Sequence, residues 1–133
     1  MQIPNNTDKF VLSSDHNEDN IKYILFGVPE DSGSQGLAYF EGSSGGPDAM
    51  RKASQLYCAF HRKENGELKT FITNSYAPII NGQIKLFDLG DKSKNEVSNL
   101  VRSFLENGKF PIVLGGDHSI TYEVLCGINK YYS

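Results

Sequence analysis

The segment Gly115-Gly116-Asp117-His118-Ser119 has the residues best suited to chemistry in this chain. Two successive glycines let a backbone leave a strand sharply and let other groups approach closely, and the side chain projected next is an imidazole. Neutral imidazole is the commonest side-chain metal ligand, and the neighbouring Asp117 carboxylate is suited to orient it or to stabilise the turn. One imidazole does not make a metal site, and a histidine after a glycine turn also serves as a plain hydrogen-bonded residue. A second acidic pair, Glu30 and Asp31, follows the apolar run 22–28. Adjacent carboxylates there offer general acid–base partners or, equally, caps for a turn. Gly42-Ser-Ser-Gly45-Gly46 has the glycine content of a phosphate loop, but a long stretch separates it from its strand, Pro47 removes a donor and no Gly-Lys-Ser/Thr closes it. Those glycines read instead as shaping a substrate-side loop.

The remaining candidates read as structural. His16 lies in a polar lead-in and His61 at the expected end of a helix, so both read as solvated surface residues. Cys58 and Cys126 fall in expected helices without a Cys-x-x-Cys spacing, which excludes a disulfide framework or a cysteine zinc site and leaves two buried reduced thiols. Arg51 reads as an ion-pair partner in the first helix rather than a substrate ligand.

Elements that would position these residues follow from periodicity. Residues 1–20 are a polar arm, expected to be loose unless something pins it. Residues 22–28 form a short apolar strand, and the Gly-, Ser- and acid-rich stretch 29–46 after it is a long loop of the kind compact domains keep for function. Pro47 opens a helix whose buried face is Met50, Ala53, Ser54, Leu56, Tyr57 and Phe60, ending near His61. Asn65-Gly66 and Asn81-Gly82 are turn signals around an extra strand at 68–73, and a firmer strand spans 84–89. Ser93-x-x-Glu96 is a capping box ahead of Val97, Leu100, Val101, Phe104 and Leu105, with Gly108 as the stop. Residues 110–114 form an apolar strand, and a last helix from Ser119 carries Ile120, Val124, Leu125 and Ile128. This alternation predicts an α/β fold with a mainly parallel sheet covered by helices. Ligands in such sheets bind at the carboxyl ends of the strands, where the 29–46 loop and the Gly115–Ser119 turn both fall.

Composition narrows the function. The 133 residues carry 13 Lys+Arg against 16 Asp+Glu, a net charge of -3, and 38% are hydrophobic, which suits one domain or part of one. A pI near 5.5 without a basic cluster excludes nucleic acid as an expected partner. No apolar run approaches the roughly 20 residues a bilayer requires, and the first twenty residues lack the design of a secretory signal, so a cytoplasmic protein with no membrane partner is expected.

Phe110-Pro-Ile-Val-Leu-Gly-Gly-Asp-His-Ser-Ile-Thr121 resembles the first metal-binding motif of the ureohydrolases, the family of arginase, agmatinase and formimidoylglutamase. Gly27-Val-Pro-Glu-Asp31, Gly33 and Gly45-Gly46-Pro47-Asp-Ala-Met-Arg51 resemble its opening strand, loop and first helix, and Asp88-Leu-Gly-Asp91 its second strand end. The resemblance runs from Tyr23 to Ile128. It implies residues 21–133 as the N-terminal part of one three-layer domain of arginase-like type, with the first strand between the other two and helices on both faces.

The resemblance further implies hydrolysis of a C–N bond in a small guanidino or formimino substrate at two manganese ions, in a homo-oligomer. His118 would be a ligand to one manganese, Gly115, Gly116 and Asp117 would support the turn, and Glu30 and Asp31 would line the substrate side. Gly-Val-Pro-Glu-Asp leans toward formimidoylglutamase-type members. Family members supply the other five ligands from an Asp-Ala-His-x-Asp and a Ser-x-Asp-x-Asp segment, and neither occurs here. The complete centre is therefore not encoded in these residues, which is expected of an incomplete gene reading or a truncated relative. The competing expectation is a non-catalytic binding or subunit-interaction protein on the same scaffold.

Overall fold

The computed structural model describes residues 9–10, 13, 19–34, 42–72, 78–79 and 85–133. Its elements in chain order are β1 (Tyr23–Val28), α1 (Gly46–Tyr57), β2 (Cys58–Glu64), β3 (Glu67–Ile72), β4 (Pro78–Ile79), β5 (Leu86–Asp91), α2 (Lys94–Glu106), β6 (Phe110–Gly115) and α3 (Ile120–Tyr132). β1 lies between β5 and β6 and pairs with both in parallel. This is the arginase-like α/β arrangement that the resemblance implies.

The two faces of β1 are divided by residue parity. Phe26 and Val28 point to one side, where they form a core with Val97 and Val101 of α2 and Ile120 of α3. Gly27 points to the other, where an added Cβ would lie 2.7 Å from Pro47 Cβ and 3.2 Å from Arg51 Nη1. Helices therefore cover both faces, α1 on one and α2 with α3 on the other. Burying the side chains of Val97 and Val101 contributes about 1.5–3 kcal/mol each.

α2 starts at the expected capping box, where the Glu96 carboxylate accepts the Ser93 N–H at 2.9 Å. It stops at Gly108, whose φ of 66° favours a residue without Cβ. Asn65 and Gly66 both take positive φ, 54° and 84°, which is the two-residue hairpin turn between β2 and β3.

Several expectations are corrected. The first helix ends at Tyr57, and Cys58 and Phe60 lie in β2 rather than in a helix. A β-propensive run, Cys-Ala-Phe-His, before an Asn-Gly turn favours the hairpin over further helical turns. Among the described side chains of α1 the buried ones are Pro47, Arg51 and Ser54, and Met50 is exposed; Arg51 meets Asp88 of β5, and the side chains of Leu56, Tyr57 and Phe60 lie outside the described residues. The extra strand expected at 68–73 is present as β3, while the strand–helix alternation is interrupted by the separate antiparallel sheet β2-β3-β4 to which it belongs. The strand expected at 84–89 is shifted to Leu86–Asp91. At Lys9–Phe10 the Phe10 N–H donates to Asp88 Oδ2 at 2.6 Å, and Gln55 Nε2 donates to the Lys9 carbonyl at 2.9 Å. Asn81-Gly82 and His16 lie outside the described residues.

α2 and α3 pack closely because Gly127 has no side chain. A Cβ there would sit 2.6 Å from the Ser98 carbonyl and 2.7 Å from Val101 Cβ. Gly127→Ala is expected to cost about 1–3 kcal/mol by forcing the helices apart. A thermal melt of the variant, with unchanged circular dichroism below the transition, checks it.

Candidate functional site

The loop after β1 and the turn after β6 meet through their backbones. The Gly116 N–H donates to the Val28 carbonyl at 2.9 Å and the Asp117 N–H to the Glu30 carbonyl at 2.7 Å, which docks the turn on the start of the loop. Gly116 is needed there, since its Cβ would fall 2.2 Å from the Glu30 carbonyl oxygen and 2.4 Å from its nitrogen. No rotamer change relieves a clash with backbone. Gly116→Ala is therefore expected to shift the turn or unfold it, and loss of the Asp117 amide's protection from hydrogen exchange would report it.

The carboxylates in this region organise the chain. Asp117, nearly buried, accepts the Gly33 N–H at 2.6 Å on Oδ2 and the Ser119 N–H at 2.9 Å on Oδ1. Hydrogen bonding from Ser119, with the Gly33 and Ser34 amides, outweighs burial and holds its carboxyl below the usual range. Glu30 accepts the N–H groups of Ser32 at 2.6 Å and Asp31 at 3.1 Å, and the Ser32 bonds lower its pKa. Asp31 accepts the N–H and the hydroxyl of Ser44 at 2.8 and 2.5 Å. A carboxylate thus sits where the 42–46 glycines would have to receive a phosphate.

The result is a cleft of about 520 Å³ lined by Gly33, Ser34, Ser43, Gly116, Asp117, His118 and Ser119. His118 is exposed at this cleft, with Nδ1 3.1 Å from Thr121 Oγ1. Lys94 Nζ donates to Ser119 Oγ at 2.8 Å and lies 3.4 Å from Ser32 Oγ, bracing the turn against the loop. Lys94 was not legible as a site residue, although its place as the first residue of α2, just past the end of β5, is the signal that points to it. Ser34 and Ser43 were carried only by the general assignment of the 29–46 loop.

Between α1 and β5 lies a buried ion network. Arg51 donates to both oxygens of Asp88, from Nε at 2.8 Å and Nη2 at 3.0 Å, and from Nη1 to Asp91 at 2.5 Å. Arg51 and Asp88 are each 3% exposed. Burial pushes the Asp88 carboxyl up, but Arg51 and the Phe10 and Gly90 amides outweigh it and hold the carboxyl below its ordinary value. Burial likewise opposes the Arg51 charge, which Asp88 and Asp91 restore and more. This engagement makes Arg51 an ion-pair partner rather than a free substrate ligand.

No group of three or more His, Cys, Asp or Glu gathers as a metal site among the described residues. The carboxylates nearest His118 are occupied by backbone donors, so the described residues do not by themselves fit a two-manganese centre. No described helix is long and apolar enough to cross a membrane.

A three-layer α/β chain with a glycine-turn histidine at the sheet's carboxyl edge matches the arginase-family model over residues 21–133, and the chain belongs to the arginase family. Among its relatives, the agmatinase of Bacillus subtilis (strain 168) is 30% identical over 113 residues, 82% of this chain and 35% of that protein. An uncharacterized 32.2 kDa protein of Methanothermus fervidus is 37% identical over 130 residues, 88% of this chain and 40% of that protein. The agmatine ureohydrolase of Thermoplasma volcanium superposes with a TM-score of 0.64 at 27% identity, over 90% of this chain and 38% of that structure. The chain thus spans about two fifths of the length of these relatives.

Replacing Arg51 by Met leaves Asp88 buried without its partner and is expected to cost about 3–5 kcal/mol. Because the Asp88 pKa is depressed on folding, the stability it contributes is fully present above the unfolded value near 3.8 and is lost as pH falls through the lower folded value. The stability gap between wild type and Arg51→Met should therefore be largest toward neutral pH and shrink as acidification protonates Asp88, first in the variant, where burial is no longer offset by Arg51, and then in the wild type, which urea titrations across that range measure.

Proposed function

We propose that the complete protein containing these residues is a manganese-dependent hydrolase acting on a C–N bond of a small guanidino compound. The observation that carries this reading is the convergence of Gly33, Ser34 and Ser43 with the Gly116–Ser119 turn on one cleft, with His118 exposed at it. In this reading His118 is one ligand to one manganese, and the remaining ligands come from outside these 133 residues. The metal pair would supply a hydroxide near neutral pH. This chain's own part is positional. Asp117 ties the histidine turn to Gly33, Glu30 and Asp31 fold the loop that walls the cleft, and Lys94 braces the two against each other.

A guanidino substrate is favoured over a formimino one because agmatinase and agmatine ureohydrolase stand among the similar proteins. Sequencing the coding DNA past Ser133 and assaying the full-length protein with manganese test the reading. Urea release from a guanidino substrate is expected, and His118→Ala should reduce manganese affinity by more than the roughly 10–100-fold typical of losing a supporting residue. A full-length, manganese-loaded protein that releases neither urea nor formamide from guanidino or formimino compounds would overturn it.

A further inference from the structure

Two helices begin beside the cleft, and each departs there from what its own start favours. α2 opens on Lys94, a cation in the first turn, where unpaired amides carry partial positive charge and acidic side chains are the stabilising ones. α3 has Ser119 at its N-cap, where a serine hydroxyl ordinarily accepts one of the unpaired amides, yet this side chain makes no capping bond. The two exceptions meet: Lys94 Nζ donates to Ser119 Oγ at 2.8 Å. The same ammonium lies 3.4 Å from Ser32 Oγ, and no carboxylate among the described residues forms an ion pair with it. Its donors are spent on hydroxyls of two segments remote from each other in sequence. The other contacts complete a circuit. The Ser119 N–H donates to one oxygen of Asp117, and the other oxygen accepts the N–H of Gly33, the neighbour of Ser32. Loop and turn touch at Gly33, since a Cβ there would lie 2.8 Å from Ser119 Cβ. Asp117 and Lys94 therefore fasten the same two segments, one from each side of His118 in the turn.

We propose that Lys94 is a positioning residue for the reaction at this cleft: its ammonium, by holding Ser119 to Ser32, sets where the turn presents the His118 imidazole. The proposal rests on the hydrolase reading above. It accounts for both departures at once, because a cation that α2 does not favour and a hydroxyl that α3 does not use for capping are each explained by the other. Lys94 acts through Ser119 and the turn rather than on the substrate, so its loss falls on the rate of the bound complex more than on binding.

Two measurements on the full-length protein test this. The first is amide hydrogen exchange without added metal or substrate. Lys94→Met keeps the aliphatic stem and removes the donors, and it should speed exchange of the Gly33 and Ser119 amides, both bonded to Asp117, while the Val97 and Val101 amides of α2 stay as in wild type. The second is urea release from a guanidino substrate with manganese. Lys94→Met should lower kcat by at least about tenfold with KM changed less than about twofold, and Lys94→Arg, which retains charge and donors, should recover most of the loss. Ser119→Ala should reproduce the loss, and Lys94→Met added to it should cost little more, so a methionine variant that fails to fold leaves the serine variant to decide. Unchanged Gly33 and Ser119 exchange in Lys94→Met, faster exchange with kcat unaltered, an arginine variant as slow as the methionine one, or full additivity of the two substitutions would each overturn the proposal. A wild-type protein without hydrolytic activity would instead overturn the hydrolase reading, and the exchange result would then decide by itself whether Lys94 holds the turn to the loop.

Discussion

The bidentate pair between Arg51 and Asp88 fixes how α1 lies on the sheet, and the cleft inherits its shape from that. A guanidinium enclosed between a helix and a sheet is tolerable only when its donors meet carboxylates, because an unpaired charge there would lose its hydration without return. Two conditions satisfy this need. Asp88 and Asp91 sit three apart on β5, bracketing a glycine with φ of 79°, so that both carboxylates reach the same fork. Gly27 on the neighbouring strand has no side chain where the Asp91 carboxylate and the guanidinium must pass. Since α1 begins at Gly46, immediately after Ser43–Gly45, the helix held by this pair also sets where Ser43 stands in the cleft.

Apart from that network the site is assembled mainly from backbone donors and carboxylate acceptors. Asp117, Glu30 and Asp31 each spend their oxygens on amide or hydroxyl groups of neighbouring loop residues, which makes them part of the frame. His118 differs in being exposed, with Nδ1 of its ring against Thr121 Oγ1. A rigid frame around one accessible imidazole is what positioning chemistry at a strand end requires.

Much of this was legible in the sequence. The capping box at Ser93 and the spacing of Val97 and Val101 announce α2 because local hydrogen bonding and one apolar face agree there. The glycines at 115 and 116 announce a tight turn because only small residues permit it. What escaped depended on distant partners. Nothing local distinguishes Arg51 as buried, since its burial is decided by carboxylates 37 and 40 residues away. The apolar residues Met50 and Phe60 imitate a longer amphipathic helix, and only the pairing of Cys58–Glu64 with Glu67–Ile72 draws the chain into strand conformation. Asp31 was visible as an acid at a strand end, but its attachment to Ser44 lies across a loop whose path the sequence does not announce.

The strand order has a consequence for how the chain acquires its structure. β1 is first in sequence yet central in the sheet, and its two neighbours arrive from residues 86 and 110 onward. Neither of the strands it pairs with is close to it in sequence. β5, α2, β6 and α3, by contrast, are consecutive, and the extensive α2–α3 contact can form early from nearby residues. Pairing β1 with β5 and with β6 closes long loops, at the larger entropic cost. A nascent chain that has not yet reached residue 86 would lack both strands that flank β1 here, and with them the cover of Ile24, Leu25, Phe26 and Val28.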